Sequence, residues 1–357
     1  MSRFLCARFA ALSPYVPGEQ PRDKTYIKLN TNESPYPPSP GVCAAIDRTA
    51  VEQLRLYPDP DCRELIDALA GRYAVQPENV FVSNGSDDIL NFAFMAFGGH
   101  DRPAVFPDIT YGFYAVYANL HGVPYTRLPL QADFSIAPAD YFDAGGMVVL
   151  ANPNAQTGVA LSVDAIEEIV RRNRDAPVIV DEAYVDFGCD SCVPLTRRYD
   201  NLLVVQTFSK SRNLAGARLG FAIGSPDLIA DLNKLKYATN PYAINRLTQL
   251  GGIAALRDDA YYASRCRAIM ETRAYTAAAL QERGFTVLPS AANFLLAKSD
   301  RIPGTALYRF LKANGVLVRH FDDPARIAAY NRITIGTMQQ IQSMLALIDT
   351  ALKGADV

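Results

Sequence analysis

Several short polar segments, each just after an apolar run, carry the groups able to do chemistry. Lys210 stands in Thr207-Phe208-Ser209-Lys210, after Leu202-Leu203-Val204-Val205, with Gly216, Arg218 and Gly220 downstream. A lysine in a partly desolvated cleft has a lowered proton affinity and is nucleophilic. The hydroxyls of Thr207 and Ser209, with Arg218, form a cradle suited to phosphate. Asp181 directly follows Val178-Ile179-Val180, and Tyr184 comes three residues later. Gly85-Ser86-Asp87 separates Val80-Phe81-Val82 from an apolar helical run, Ile89 to Phe97. A helix N-terminus there offers free N–H groups to a phosphate. Tyr111, after Ala104-Val105-Phe106, has a ring able to stack on a flat ligand.

Singly, each residue has an ordinary explanation. Lys210 reads as a surface lysine, Asp181 as a helix N-cap, Gly85-Ser86-Asp87 as a common strand–helix turn, and Tyr111 as a core or rim aromatic. Jointly they point to one chemistry. A phosphate beside an amine nucleophile suggests pyridoxal phosphate, which binds lysine as a Schiff base. Asp181 is then the acid that keeps the pyridine nitrogen protonated, so that the ring acts as an electron sink, and Tyr184 reaches the phenolic oxygen.

The elements that must position these groups show a rhythm of short β-type runs followed by polar residues and helical patterns. Runs buried on both faces, with helices between them, predict an α/β protein with a mostly parallel sheet. In such sheets ligands bind beyond the carboxyl ends of the strands, where all these polar segments converge. Residues 1–40, rich in Pro, Asn, Ser and Tyr from position 13, read as an N-terminal arm. Helices are expected at 41–54 and 61–73, and a large domain over 41–245. A long helical stretch over 247–282, then short strands, a helix at 304–313 and a final helix at 338–352, predict a smaller α+β domain over 246–357.

The 357 residues suit about two domains. Hydrophobic residues at 49% and charged residues at 20% mark an ordinary globular chain. A net charge of −2 argues against a general nucleic-acid binder. No run approaches the length of about 20 apolar residues that a membrane helix needs. Met1 to Pro14 lacks a signal-peptide core and reads as part of the mature protein. Six cysteines make no disulfide scaffold, and a reducing cytoplasm is expected. Cys189-x-x-Cys192 lacks a matching second pair, and His100, His121 and His320 are scattered, so no metal is expected.

Taken together, these residues resemble the fold-type-I pyridoxal-phosphate aminotransferases, over nearly the whole chain. The lysine segment with Gly216, Arg218 and Gly220 is the most specific part. Within that group the chain is similar to the histidinol-phosphate aminotransferases. Pro14 to Gly18, Leu29-Asn30-Thr31-Asn32-Glu33-Ser34-Pro35, Leu56-Tyr57-Pro58-Asp59-Pro60 and Arg332-Ile333-Thr334-Ile335-Gly336-Thr337 carry this likeness.

The resemblance implies that Lys210 holds the cofactor and shuttles the proton, with Asp181 on the ring nitrogen, Tyr184 on the phenolic oxygen and Tyr111 stacked on the ring. Gly85, Ser86 and Asp87, with Thr207, Ser209 and Arg218, would hold the phosphate. Tyr57 would reach the cofactor phosphate of a partner subunit in a homodimer. Arg332 would bind the donor's carboxylate, and Arg332 with Arg319 the substrate phosphate; Tyr15 and Asn32 would line the entrance.

The implied reaction moves an amino group between histidinol phosphate and 2-oxoglutarate, a step of histidine biosynthesis. An aromatic amino acid aminotransferase, or a lyase like threonine-phosphate decarboxylase, remains the alternative. One segment departs from the pattern. Many relatives carry Asn-Asn-Pro-Thr-Gly where this chain has Asn154-Ala155-Gln156-Thr157-Gly158. Asn154 is the candidate to replace the contact that Ala155 cannot make.

Overall fold

The computed structural model describes residues 2–355. In chain order its regular elements begin with β1 (Ile27–Leu29), α1 (Pro40–Ala45), α2 (Arg48–Glu52), α3 (Arg63–Tyr73), β2 (Val80–Ser83), α4 (Ser86–Phe97), β3 (Ala104–Pro107), α5 (Phe113–His121), β4 (Tyr125–Leu128) and β5 (Met147–Ala151). There follow α6 (Val163–Arg172), β6 (Val178–Asp181), β7 (Leu202–Thr207), β8 (Gly220–Ile223), α7 (Pro226–Thr239), α8 (Arg246–Arg257) and α9 (Asp259–Glu282). The chain closes with β9 (Phe285–Val287), β10 (Phe294–Ser299), α10 (Gly304–Ala313), β11 (Val316–His320), β12 (Asn331–Thr334) and α11 (Met338–Ala355).

A seven-stranded sheet in the order β2-β8-β7-β6-β5-β3-β4 forms the larger layer. Its central strands β5, β6 and β7 are buried along their whole length, as their unbroken apolar runs require. They pair in parallel with one another, so Ala151, Asp181 and Val205 lie side by side near their carboxyl ends. The sheet is mixed at one side. β8, which the sequence pattern did not announce, runs antiparallel to both β2 and β7.

Side-chain caps set the helix starts. Ser162, Ser225 and Asn245 each accept a backbone N–H of the first turn of α6, α7 and α8. The expected single helix over 247–282 is two helices. They part at Asp258, whose carboxylate accepts the N–H of Gly41 at 3.0 Å and whose own backbone leaves helical geometry. The expected helix over 41–54 is likewise split, with Asp47 capping α2.

The smaller sheet has the order β1-β11-β12-β10-β9. The arm is therefore built in: Ile27–Leu29 pairs in parallel with Val316–Val318. One buried cluster runs from Phe81, Val149 and Leu203 of the large sheet through Ile269 of α9 to Phe294 and Ile333 of the small one. Among the described residues no helix is long and apolar enough to cross a membrane.

Candidate active site

The carboxyl ends of the central strands meet in one cavity. Ser86, Tyr111, Asp181, Tyr184, Thr207, Ser209, Lys210 and Arg218 line it, with Asp87, Ala155 and Ala183. A roomier hollow of about 400 Å³, lined by Arg102, Asp143, Arg172 and Pro177, lies at the amino ends of β5 and β6 and holds no comparable set of groups.

Lys210 follows β7. Its Nζ donates to the backbone carbonyl of Thr31 at 3.3 Å and sits 5.7 Å from the centroid of the Tyr184 ring. Thr31 thus joins the site from the arm, which no local signal in the sequence marks. Asp181, at the end of β6, is 4% exposed. Its Oδ2 accepts the hydroxyl of Tyr114 at 2.8 Å, and its Oδ1 the N–H of Ala183 at 3.2 Å. Burial pushes its carboxyl up to about 6, against the opposing pull of the Tyr114 hydrogen bond. Tyr114, a helix residue with nothing in its spacing to single it out, is the second group that sequence reasoning missed.

The phosphate-type cradle is assembled around Arg218. Its Nη2 pairs with Asp87 Oδ2 at 2.9 Å, and its Nη1 lies 3.5 Å from Ser209 Oγ. Thr207 Oγ1 donates to Ser209 Oγ at 3.0 Å and accepts the N–H of Ser209 at 3.1 Å. Gly85 caps α4 with a φ of 87°, a backbone conformation that side-chain-bearing residues rarely adopt, and its missing Cβ leaves room for the Arg218 guanidinium. Asp87 Oδ1 also takes the hydroxyl of Tyr111 at 2.7 Å, which sets the edge of that ring.

The substrate side is built by the small sheet and the arm. Arg319 and Arg332 face each other across the antiparallel β11–β12 pair. Arg332 Nη1 donates to the carbonyl of Ala155 at 2.9 Å and to Gln156 Oε1 at 3.1 Å, and its buried Nε has no hydrogen-bond partner among the described residues. Burial holds its guanidinium below the usual arginine value. Arg319 donates to the carbonyls of Pro17 and Val16 at 3.3 and 3.4 Å. Tyr15 stacks on Phe113 at 4.2 Å between ring centroids. With Tyr111, Gln156, Arg319 and Phe321 it lines a second cavity of about 230 Å³, and Tyr111 borders both cavities.

Two candidate residues, Asn32 and Asn154, lie elsewhere than expected. Asn32 is buried behind the site and does not line the entrance. It donates to the Tyr184 hydroxyl at 3.0 Å and accepts the hydroxyl of Thr334 at 3.0 Å. Asn154 is turned into its own loop, because its Oδ1 accepts the N–H groups of Gln156 and Thr157 and its Nδ2 donates to Ile109. The cavity wall at that point is Ala155. Tyr57 is 77% exposed, stacked on Tyr242 at 4.6 Å, and does not line its own chain's cavity.

The Cys189–Cys192 pair belongs to a structural loop. The N–H of Cys192 donates to Glu182 Oε1 at 2.6 Å, and burial pushes the Cys189 thiol up to about 11.

The donor set fits pyridoxal phosphate. Asp181 is a buried acid facing the cavity, with no cation paired to it among the described residues. A protonated ring nitrogen would supply that cation, and Arg218, Ser209, Thr207 and the start of α4 would suit a phosphate.

Residues 24–348 match the family model for aminotransferase class I and II. The chain is 50% identical over 341 residues to histidinol-phosphate aminotransferase 2 of Dechloromonas aromatica, covering 94% of this chain and 96% of that one. It is 49% identical over 353 residues to the histidinol-phosphate aminotransferase of Marinomonas sp., covering 98% and 100%. Among solved structures, that of histidinol-phosphate aminotransferase from Sinorhizobium meliloti, in complex with pyridoxal-5'-phosphate, superposes with a TM-score of 0.88 at 24% identity, over 99% of this chain and 100% of that one. The L-threonine-O-3-phosphate decarboxylase of Porphyromonas gingivalis shares the fold, with a TM-score of 0.80 at 21% identity over 92% of this chain and 99% of that one.

Proposed function

The chain belongs to the aminotransferase class I and II family, and on that footing we propose that it moves an amino group between histidinol phosphate and 2-oxoglutarate, with pyridoxal phosphate as cofactor. The observation that carries this reading is the convergence of Lys210, Asp181, Tyr184 and Arg218 on one cavity. When bound, the cofactor supplies an aldehyde that takes up amines and a ring that accepts the electron pair left at the substrate's Cα.

This chain's residues do the rest. Lys210 Nζ takes the proton from Cα. Asp181 keeps a proton at the ring nitrogen, and the Tyr184 hydroxyl donates to the phenolic oxygen. Arg218, Ser209 and the N–H groups at the start of α4 hold the phosphate. Arg332 and Arg319 bind the substrate anions, their planar forks suiting carboxylate and phosphate alike. Tyr15, packed on Phe113, covers the entrance and excludes water.

The exposed Tyr57 supports a homodimer in which that residue closes the partner's phosphate site. Six free thiols fit a reducing, cytoplasmic setting.

The test is a panel of half-reactions. Holoenzyme is mixed with one amine at a time and the cofactor absorbance followed. Histidinol phosphate and glutamate are each expected to convert it, with ping-pong kinetics in the full reaction. Release of carbon dioxide from a phosphorylated amino acid without any acceptor would overturn the assignment.

A further inference from the structure

Gln156 lies in the loop after β5, and that loop is clamped. Asn154 Oδ1 accepts the backbone N–H of Gln156 at 2.9 Å and that of Thr157 at 3.1 Å, which holds the main chain from which the Gln156 side chain projects. It goes to Arg332, whose Nη1 donates to Gln156 Oε1 at 3.1 Å. A guanidinium has only donors, so the carboxamide must turn its oxygen to Arg332 and its NH2 group away. Gln156 also lines the 230 Å³ cavity with Tyr15, Arg319 and Phe321. Among the described residues no hydrogen bond engages its Nε2.

In the proposed reaction two anions of different shape dock at this place. A carboxylate is planar, and its two oxygens are matched in pairs by one guanidinium fork. A phosphate monoester has a third terminal oxygen that the fork leaves unmet. An amide donor fixed beside Arg332 is placed for that third oxygen. Resting on the functional reading above, we propose that Gln156 is a specificity-determining residue that favours the phosphorylated substrate over the amino-acid donor at Arg332.

The experiment measures the two half-reactions separately, with histidinol phosphate and with glutamate, on wild-type holoenzyme and on Gln156→Met. Methionine keeps the length and apolar body but loses the donor. The expected result is a fall of about tenfold in kcat/KM for histidinol phosphate and of about twofold or less for glutamate. Gln156→Glu, which sets a carboxylate against the incoming phosphate, should widen the gap further. Gln156→Asn keeps the amide but withdraws it; it should show the same bias in smaller measure and serves if the methionine variant does not fold.

Equal losses in both half-reactions would mean that Gln156 merely shapes the loop, and would overturn the inference. A wild-type enzyme converted by glutamate but not by histidinol phosphate would instead overturn the functional reading, and the inference with it.

Discussion

Asn32 donates its carboxamide N–H to the hydroxyl oxygen of Tyr184 at 3.0 Å, although 152 positions separate them. The hydroxyl oxygen thereby accepts one hydrogen bond and its proton is left to donate, in the proposed function to the cofactor's phenolic oxygen. Ala155 offers only a methyl group nearby, so the strength of this one donor matters.

Asn32→Ala should weaken Tyr184 as a donor. A phenolate that receives a weaker hydrogen bond is more basic, and it holds the proton of the neighbouring Schiff base more tightly. The pH at which the lysine–cofactor chromophore changes colour should rise, and kcat should fall by about tenfold or less. A spectrophotometric pH titration checks the first, and an unshifted midpoint refutes the coupling.

Asp181→Asn should separate function from stability. Without its acid the ring nitrogen loses its proton, and activity should drop by at least about a hundredfold. In the cofactor-free protein the burial of Asp181 raises its carboxyl from 3.8 to about 6. A raised carboxyl favours the fold most at low pH, and that contribution is lost as pH rises from about 4 through 6. The amide of the variant carries no such charge. The cofactor-free variant should therefore melt no lower than wild type at pH 8, and the penalty removed is at most on the order of 3 kcal/mol. Calorimetry of both cofactor-free proteins decides it.

Glu182, next in sequence, has a separate set of partners. It accepts the hydroxyl of Ser191 at 2.6 Å, the N–H of Cys192 at 2.6 Å and an N–H of Gln206 Nε2 at 2.8 Å. Burial nonetheless lifts it from 4.5 to about 7. The sign is the same as for Asp181: stability falls as pH climbs from about 4.5 to 7. Glu182→Gln should flatten the slope of Tm against pH across that window, whatever its absolute effect. A slope identical to wild type would show that the group does not titrate there.

Tyr57 can be tested by mixing lesions. If it completes the partner's site, a dimer of one Tyr57→Ala chain and one Lys210→Ala chain has one doubly damaged site and one intact site. Refolding the two inactive proteins together should restore about a quarter of wild-type activity, because about half the dimers are hybrids with one good site each. No recovery, with hybrids shown to form, places Tyr57 in its own chain's chemistry.

The sequence showed the large sheet well, because β5, β6 and β7 are buried on both faces and their apolar runs are unbroken. The residues just beyond them, Asp181 and Lys210, followed from that pattern. What was hidden depends on contacts between distant segments. β8 is four residues long and its place is fixed by pairing with β2 and β7. The family resemblance puts Asn32 at the entrance, yet the arm is pulled inward by β11. Asn154, one position before the expected one, is the candidate to replace the contact that Ala155 cannot make, but its polar atoms are spent on the N–H groups of Gln156 and Thr157 and on the Ile109 carbonyl. Gln156 acquires its partner 176 positions away, on a strand of the other sheet.

The pairing of Ile27–Leu29 with Val316–Val318 also bears on how this chain can be handled. A shortened protein beginning after Leu29 would lose more than the segment carrying Tyr15. It would strip an edge from the small sheet and leave the backbone N–H and C=O groups of Val316–Val318, flanked by apolar side chains, open to any extended peptide. Such an edge is a template for aggregation. The arm covers the edge of β11, and cutting it is expected to cost solubility as well as catalysis.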